Sequence, residues 1–181
     1  MTIDDVEVEV FELFVHWLYA QDLPQTAIDM HHGEDITAIK ALLLLWLKAV
    51  VFGDRFLAPG FKKAAHNRFI NHSGTRRPWY ELVTFAYKSL PNDSLILEYM
   101  VDAHACFWTV KSDGKKDVQE RSKVPRRFLV DVMARQQVLR YGTEPWEEGD
   151  FSLCAHHLHD SEMERKSCPT RIGQGYDPTD D

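Results

Sequence analysis

Cys154-Ala-His-His157-Leu-His159, with Cys168 following, is the stretch of this chain whose residue types could bind a metal. Zinc takes four nitrogen or sulfur ligands in a tetrahedron, and Cys154, His157, His159 and Cys168 can supply two of each. His157 and His159 stand only two apart, so both reach one ion only if the backbone between them is extended. No CxxC pair accompanies them. The alternative is a solvated histidine-rich loop whose Cys154 tucks against a helical body.

Other chemistry finds fewer residues. Lys111, Lys115, Lys116, Arg121, Lys123, Arg126 and Arg127 form a basic run, but Asp113, Asp117 and Glu120 interrupt it. It reads as a solvated loop between helices rather than as an anion-binding patch. There is no Gly-x-Ser-x-Gly elbow and no glycine-rich phosphate loop. Asp102 and His104, two apart on one helix, fall on different faces. Glu98 and Asp102 have acid/base spacing, yet they read as the solvent side of their helix. No catalytic residues are expected, and the chain is not expected to be an enzyme. Trp146, in Glu144-Pro-Trp-Glu-Glu-Gly149, has no periodic helix to bury it and is the candidate exposed anchor among five tryptophans.

The elements that must position these residues are helical. The chain has 181 residues with 44% hydrophobic and 12% aromatic content, enough for a real core. Phe11, Phe14, Val15, Leu18 and Tyr19 recur at the 3, 4, 7 spacing of a helix spanning residues 5–21. A second helix runs from Asp35 or Thr37 to Gly53, a plausible stop. Pro59 opens a third, Pro78 a fourth (Trp79, Leu82, Val83, Ala86, Tyr87 and Leu90 on one side), and Leu95 a fifth that reaches Val110. Pro125 opens a sixth, with Phe128, Leu129, Val132, Met133 and Leu139 inward. The fold class is therefore mainly α, antiparallel helices followed by a tail. From Arg140 onward glycines and prolines replace the apolar rhythm, and beyond Asp160 a mobile tail is expected because few apolar residues offset ordering entropy.

Net charge is −7, which disfavours a nucleic-acid partner. The longest apolar run, 41–52, is interrupted by Lys48 and is short for a bilayer, so no membrane span is expected. Three cysteines make no disulfide framework, and the acidic N-terminus is no secretory signal, so an intracellular location, cytoplasm or nucleus, is expected.

Several segments carry a resemblance in order. Thr2-Ile3-Asp4-Asp5 reads as a strand end and acidic turn. Phe11-Glu-Leu-Phe-Val-His-Trp-Leu-Tyr19 reads as F-x-x-F-x-x-W-L-Y, and Val51-Phe-Gly-Asp-Arg-Phe-Leu-Ala-Pro-Gly-Phe61 as a helix pair. Phe85-Ala-Tyr87, Ser89-Leu-Pro91, Val124-Pro-Arg-Arg-Phe-Leu129 and Cys154-Ala-His-His157 follow. Together they resemble the second half of a BTB/POZ domain of the type abundant in filamentous fungi, with its following helices. Gly53 stands where that family usually has alanine.

The resemblance implies a C-terminal half of a BTB/POZ domain over 1–72, a helical extension over 73–140 and an irregular, partly disordered tail over 141–181. It implies an adaptor that binds other proteins, in some subgroups a cullin scaffold, through positions matching Leu13, Tyr19 and Asp22. The strand, helix and hairpin that open a complete domain are absent from this chain, so the usual BTB homodimer is not carried over. No cofactor is expected from the resemblance. A small zinc-binding protein built on Cys154, His157, His159 and Cys168 is the alternative function.

Overall fold

The structure, a computed structural model, describes residues 6–24, 36–141 and 151–171. Among them are eight α-helices and no strand, so the fold is mainly α as expected. The chain divides into two compact units, Met1–His72 and Ser73–Asp181.

In the first unit, α1 (Val8–Ala20) packs on α2 (Ile36–Arg55), and α3 (Pro59–Ser73) follows after a tight turn. Five rings from the three helices interlock: Phe14 lies 5.1 Å from Phe52 and 5.2 Å from Phe61, Trp17 5.9 Å from Phe61, and Phe56 4.4 Å from Phe52. Trp46, Leu47 and Ala49 of α2 are fully buried. Among the described residues, α2 has the length and composition of a membrane-crossing helix, and its buried side forms this core.

The inward stripe of α1 is Val10, Leu13, Phe14 and Trp17, one position earlier than the expected Phe11/Leu18/Tyr19 face. The helix is apolar on both sides, so periodicity alone leaves its rotation open, and the fit of Phe14 and Trp17 into the aromatic cluster decides it. Gln21 ends α1 in the left-handed region at φ 54°, its N–H bonded to the Trp17 carbonyl.

Gly53 is not the stop of α2. The helix continues to Arg55 and closes with Leu57 left-handed at φ 52°, Ala58 N–H bonding the Gly53 carbonyl at 2.8 Å and Leu57 N–H bonding that of Asp54. This is the Schellman pattern with leucine where glycine is usual. Glycine at 53 serves a different need: a Cβ there would sit 2.9 Å from the Lys62 backbone, so α3 passes over α2 at a distance only glycine allows.

The second unit is built around α5 (Leu95–Phe107), which packs against α4 (Tyr80–Ser89), α7 (Arg126–Tyr141) and a 3₁₀ turn at Leu153–His156. Neighbours on three sides bury Ile96, Leu97 and every residue from Tyr99 to His104. α7 offers Phe128 and Val132 to the core, while Leu129 and Met133, expected inward, are exposed.

The break after α5 is organised rather than loose. It contains a 3₁₀ turn at Val110–Ser112 and then α6 (Lys115–Arg121), which packs on α4. Their hub is the Asp113 carboxylate. It accepts hydrogen bonds from the Tyr80 hydroxyl, the Trp108 indole at 3.2 Å and Arg121 at 3.0 Å, with Arg77 3.6 Å away. Burial and then this bond push the Tyr80 phenol up to about 12. Part of the basic run is thereby paired: Arg121 with Asp113 and Lys123 with Glu120 in the helix-connecting segment, and Arg127 with Asp131 along α7.

Residues 161–171, expected as tail, include α8 (Glu162–Lys166) and a 3₁₀ turn at Pro169–Arg171. The Ser161 hydroxyl caps α8 by accepting the Glu164 N–H at 3.1 Å, and the Glu164 carboxylate reaches back to the Asp160 N–H at 2.7 Å. Acidic residues in the first turn and Arg165-Lys166 in the last suit the helix dipole.

Candidate functional site

The 3₁₀ turn carrying Cys154 and the turn after α8 carrying Cys168 face one another, and the histidines lie between them. One ligand atom each from Cys154, His159 and Cys168 lies within 4.8 Å of the others. Cys154 Sγ is 3.5 Å from His159 Nε2, and His157 Nδ1 is 3.2 Å from Cys168 Sγ. The His157 and His159 rings are 5.9 Å apart. Both cysteines and His157 are buried. His157 leaves the 3₁₀ turn in extended form (φ −79°, ψ 150°).

Around this cluster, Thr170 Oγ1 stands 3.2 Å from Cys168 Sγ and 3.3 Å from His157 Nδ1. The Cys154 thiol also points at the Arg165 carbonyl, 3.8 Å away. His159 Nδ1 is buried with no hydrogen-bond partner. A cleft of about 410 Å³ opens beside the cluster, lined by Leu95, Leu158, Asp160, Ser161 and Glu162 together with Cys154, His157 and His159. The donor set is that of a zinc site and carries no carboxylate, which argues against hard cations such as calcium or magnesium.

The other chemically suggestive group is Asp102, which the sequence placed in solvent. It is buried, and Arg135 of α7 grips both its oxygens, Nε to Oδ1 and an Nη to Oδ2. His156 Nε2 lies 3.6 Å from the same carboxylate. A pocket of about 250 Å³ joins these residues to Cys106. Burial, then the Asp102 charge, push the Cys106 thiol up to about 11, so it stays protonated near neutrality and is a poor nucleophile. This constellation fastens α7 and the 151–156 segment to α5.

The expected interaction residues separate. Leu13 is buried in the α1 stripe and offers no surface, a correction that follows from the rotation of α1. Tyr19 is 88% exposed, and Asp22 is exposed with Arg68 3.9 Å away. Trp146 lies outside the described residues. Missed by sequence reasoning is the breadth of the outer face of α1, where Val8 (66%), Phe11 (42%) and Leu18 (49%) accompany Tyr19. Its signal was present: a helix apolar on two sides has one more side than its core can use. Comparison of the chain with protein-family models, with curated proteins and with solved structures returned no match.

Proposed function

We propose that this protein is a helical protein-interaction module, a partial BTB/POZ-like domain with fungal-type C-terminal helices, that binds partners and catalyses no reaction. The observation that supports this reading is the outer face of α1, where Val8, Phe11, Leu18 and Tyr19 are exposed in helical register while Val10, Leu13, Phe14 and Trp17 fill the core. Contiguous apolar surface of this kind on a folded chain marks contact sites. Tyr19 and Asp22 stand at the end of this helix, where BTB adaptors meet a cullin scaffold. By that similarity a cullin is the proposed partner class.

A photo-crosslinking residue at Tyr19, with one at Lys88 of α4 as control, tests the reading in a binding assay with a purified cullin. A specific adduct at position 19 that the Phe11→Ser/Leu18→Ser variant abolishes supports it. No adduct at either position removes the cullin assignment, and an adduct indifferent to that variant removes the α1 face.

A further inference from the structure

We infer that the second unit binds one zinc ion as a structural centre, held by Cys154 Sγ, His159 Nε2 and Cys168 Sγ with His157 Nδ1 closing the fourth position. This does not rest on the interaction reading, since every residue involved lies in 151–171.

The geometry carries it. With Zn–S near 2.3 Å and Zn–N near 2.0–2.1 Å, a tetrahedral centre sets its sulfur and nitrogen ligands about 3.6 Å apart. The Cys154–His159 pair stands at 3.5 Å and the His157–Cys168 pair at 3.2 Å, each close to one edge of such a tetrahedron. The two sulfurs and the His159 nitrogen lie within 4.8 Å of one another, and His157 Nδ1 stands against Cys168 at the edge of that trio, all within a segment of 15 residues, 154–168. A solvated loop would spread its imidazoles outward. Here Cys154, His157 and Cys168 are all turned inward, and His159 keeps one ring nitrogen buried without a hydrogen-bond partner.

The local fold needs such a centre. α8 is one turn long, below the length at which a helix is stable alone. Its residues are Glu-Met-Glu-Arg-Lys, with Met163 80% exposed, so no apolar face docks it. A metal cross-link between Cys154, which sits on the turn against α5, and Cys168, which follows α8, replaces the missing core. Four protein ligands close the sphere, so the ion serves folding and leaves no position for substrate. On binding, Zn²⁺ forms two Zn–S and two Zn–N bonds, both thiol protons pass to solvent, and the imidazoles bind neutral.

The test uses the full chain, purified without chelator, with zinc quantified by mass spectrometry and then replaced by cobalt after stripping. One equivalent of zinc is expected, and cobalt should give the intense visible bands of a tetrahedral site with a sulfur-to-metal charge-transfer band. Cys154→Ser, His159→Ala and Cys168→Ser should each lose the metal or bind it more than about a hundredfold more weakly, exceeding the cost of losing an outer-layer partner. Cys106→Ser should keep a full equivalent. To keep the test independent of how a ligand variant folds, trypsin cleavage after Arg165 and Lys166 is followed on the wild-type chain with and without the ion: protection by zinc is expected. Less than about 0.1 equivalent after zinc dialysis, an octahedral cobalt spectrum without the sulfur band, or retention of metal by the Cys154→Ser/Cys168→Ser chain would overturn the site. Full retention by His157→Ala would overturn the four-ligand centre.

Discussion

His104 offers a quantitative check on the second unit. Its ring is buried on α5, stacked at 5.6 Å on Trp108 and edge-on at 5.2 Å to Phe128, with Tyr80 5.7 Å away. Its Nδ1 has no hydrogen-bond partner. Burial, and secondarily the Arg77 charge, lower its pKa to about 4, against the partial opposition of Asp113. The folded-state value therefore lies below the unfolded one. The unfolded chain binds the proton first, so the stability contribution is complete above about pH 6.5 and is lost as pH falls toward 4. Between pH 7.5 and pH 5 the loss from this one group comes to about 2 kcal/mol, from pKa values of 6.5 and about 4. In urea unfolding that is a midpoint shift of about 1 M for a slope of about 2 kcal/mol/M.

His104→Phe keeps a ring among rings and removes the titration. Its midpoint should fall by about 1 M less than that of the wild type over the same pH interval, both chains being measured in the same buffer. A proton NMR titration of the native chain supplies the direct value: the His104 ring should remain neutral down to about pH 4. Equal pH dependence in both chains, or a His104 titration near 6.5, would refute the argument that these aromatic neighbours exclude its charge.

Two substitutions probe the packing in the same way. Gly53→Ala forces a Cβ against the Lys62 backbone, which cannot turn aside, and should cost about 1–3 kcal/mol in thermal or urea unfolding. Gly60→Ala meets only the edge of the half-buried Trp17 ring, which can rotate, and should cost less; the reverse order would count against the close α2–α3 crossing. Asp102→Asn leaves the Arg135 guanidinium without its anion at a partly buried site and should cost about 1–3 kcal/mol at pH 7. A loss below about 0.5 kcal/mol would make the pair an ordinary surface ion pair.

The long helices were legible because each carries an apolar stripe and a breaker. Pro59 opens α3, Pro78 precedes α4, and Leu82, Val83, Ala86 and Leu90 are buried as read, while Trp79 and Tyr87 of the same stripe are half-buried. What the pattern could not supply was rotation: Phe11 and Leu129 lie on helices with apolar residues on more than one side, and only partners distant in sequence select the inner face. Asp102 escaped for the same reason, since Arg135, 33 residues on, is what makes its burial tolerable. α8 was announced by Ser161-x-x-Glu164 and went unread because composition alone pointed to disorder. The metal-type residues were found by chemistry, and what the residue list lacked was their convergence, which depends on Cys168 returning after a turn of helix. Trp146 falls outside the described residues.

The corner held by Asp113 has a bearing on how this chain can diverge. Changing the aspartate alone would leave the Tyr80 hydroxyl, the Trp108 indole and Arg121 without their shared acceptor, while changing Arg77 or Arg121 alone would strip a buried anion of a counterion. Every single step away thus passes through a less stable ancestor. Descendants of this sequence should trade these positions as a set or hold them unchanged, and the length of the connection from Trp108 to Lys115 should be among the most slowly varying features of the lineage.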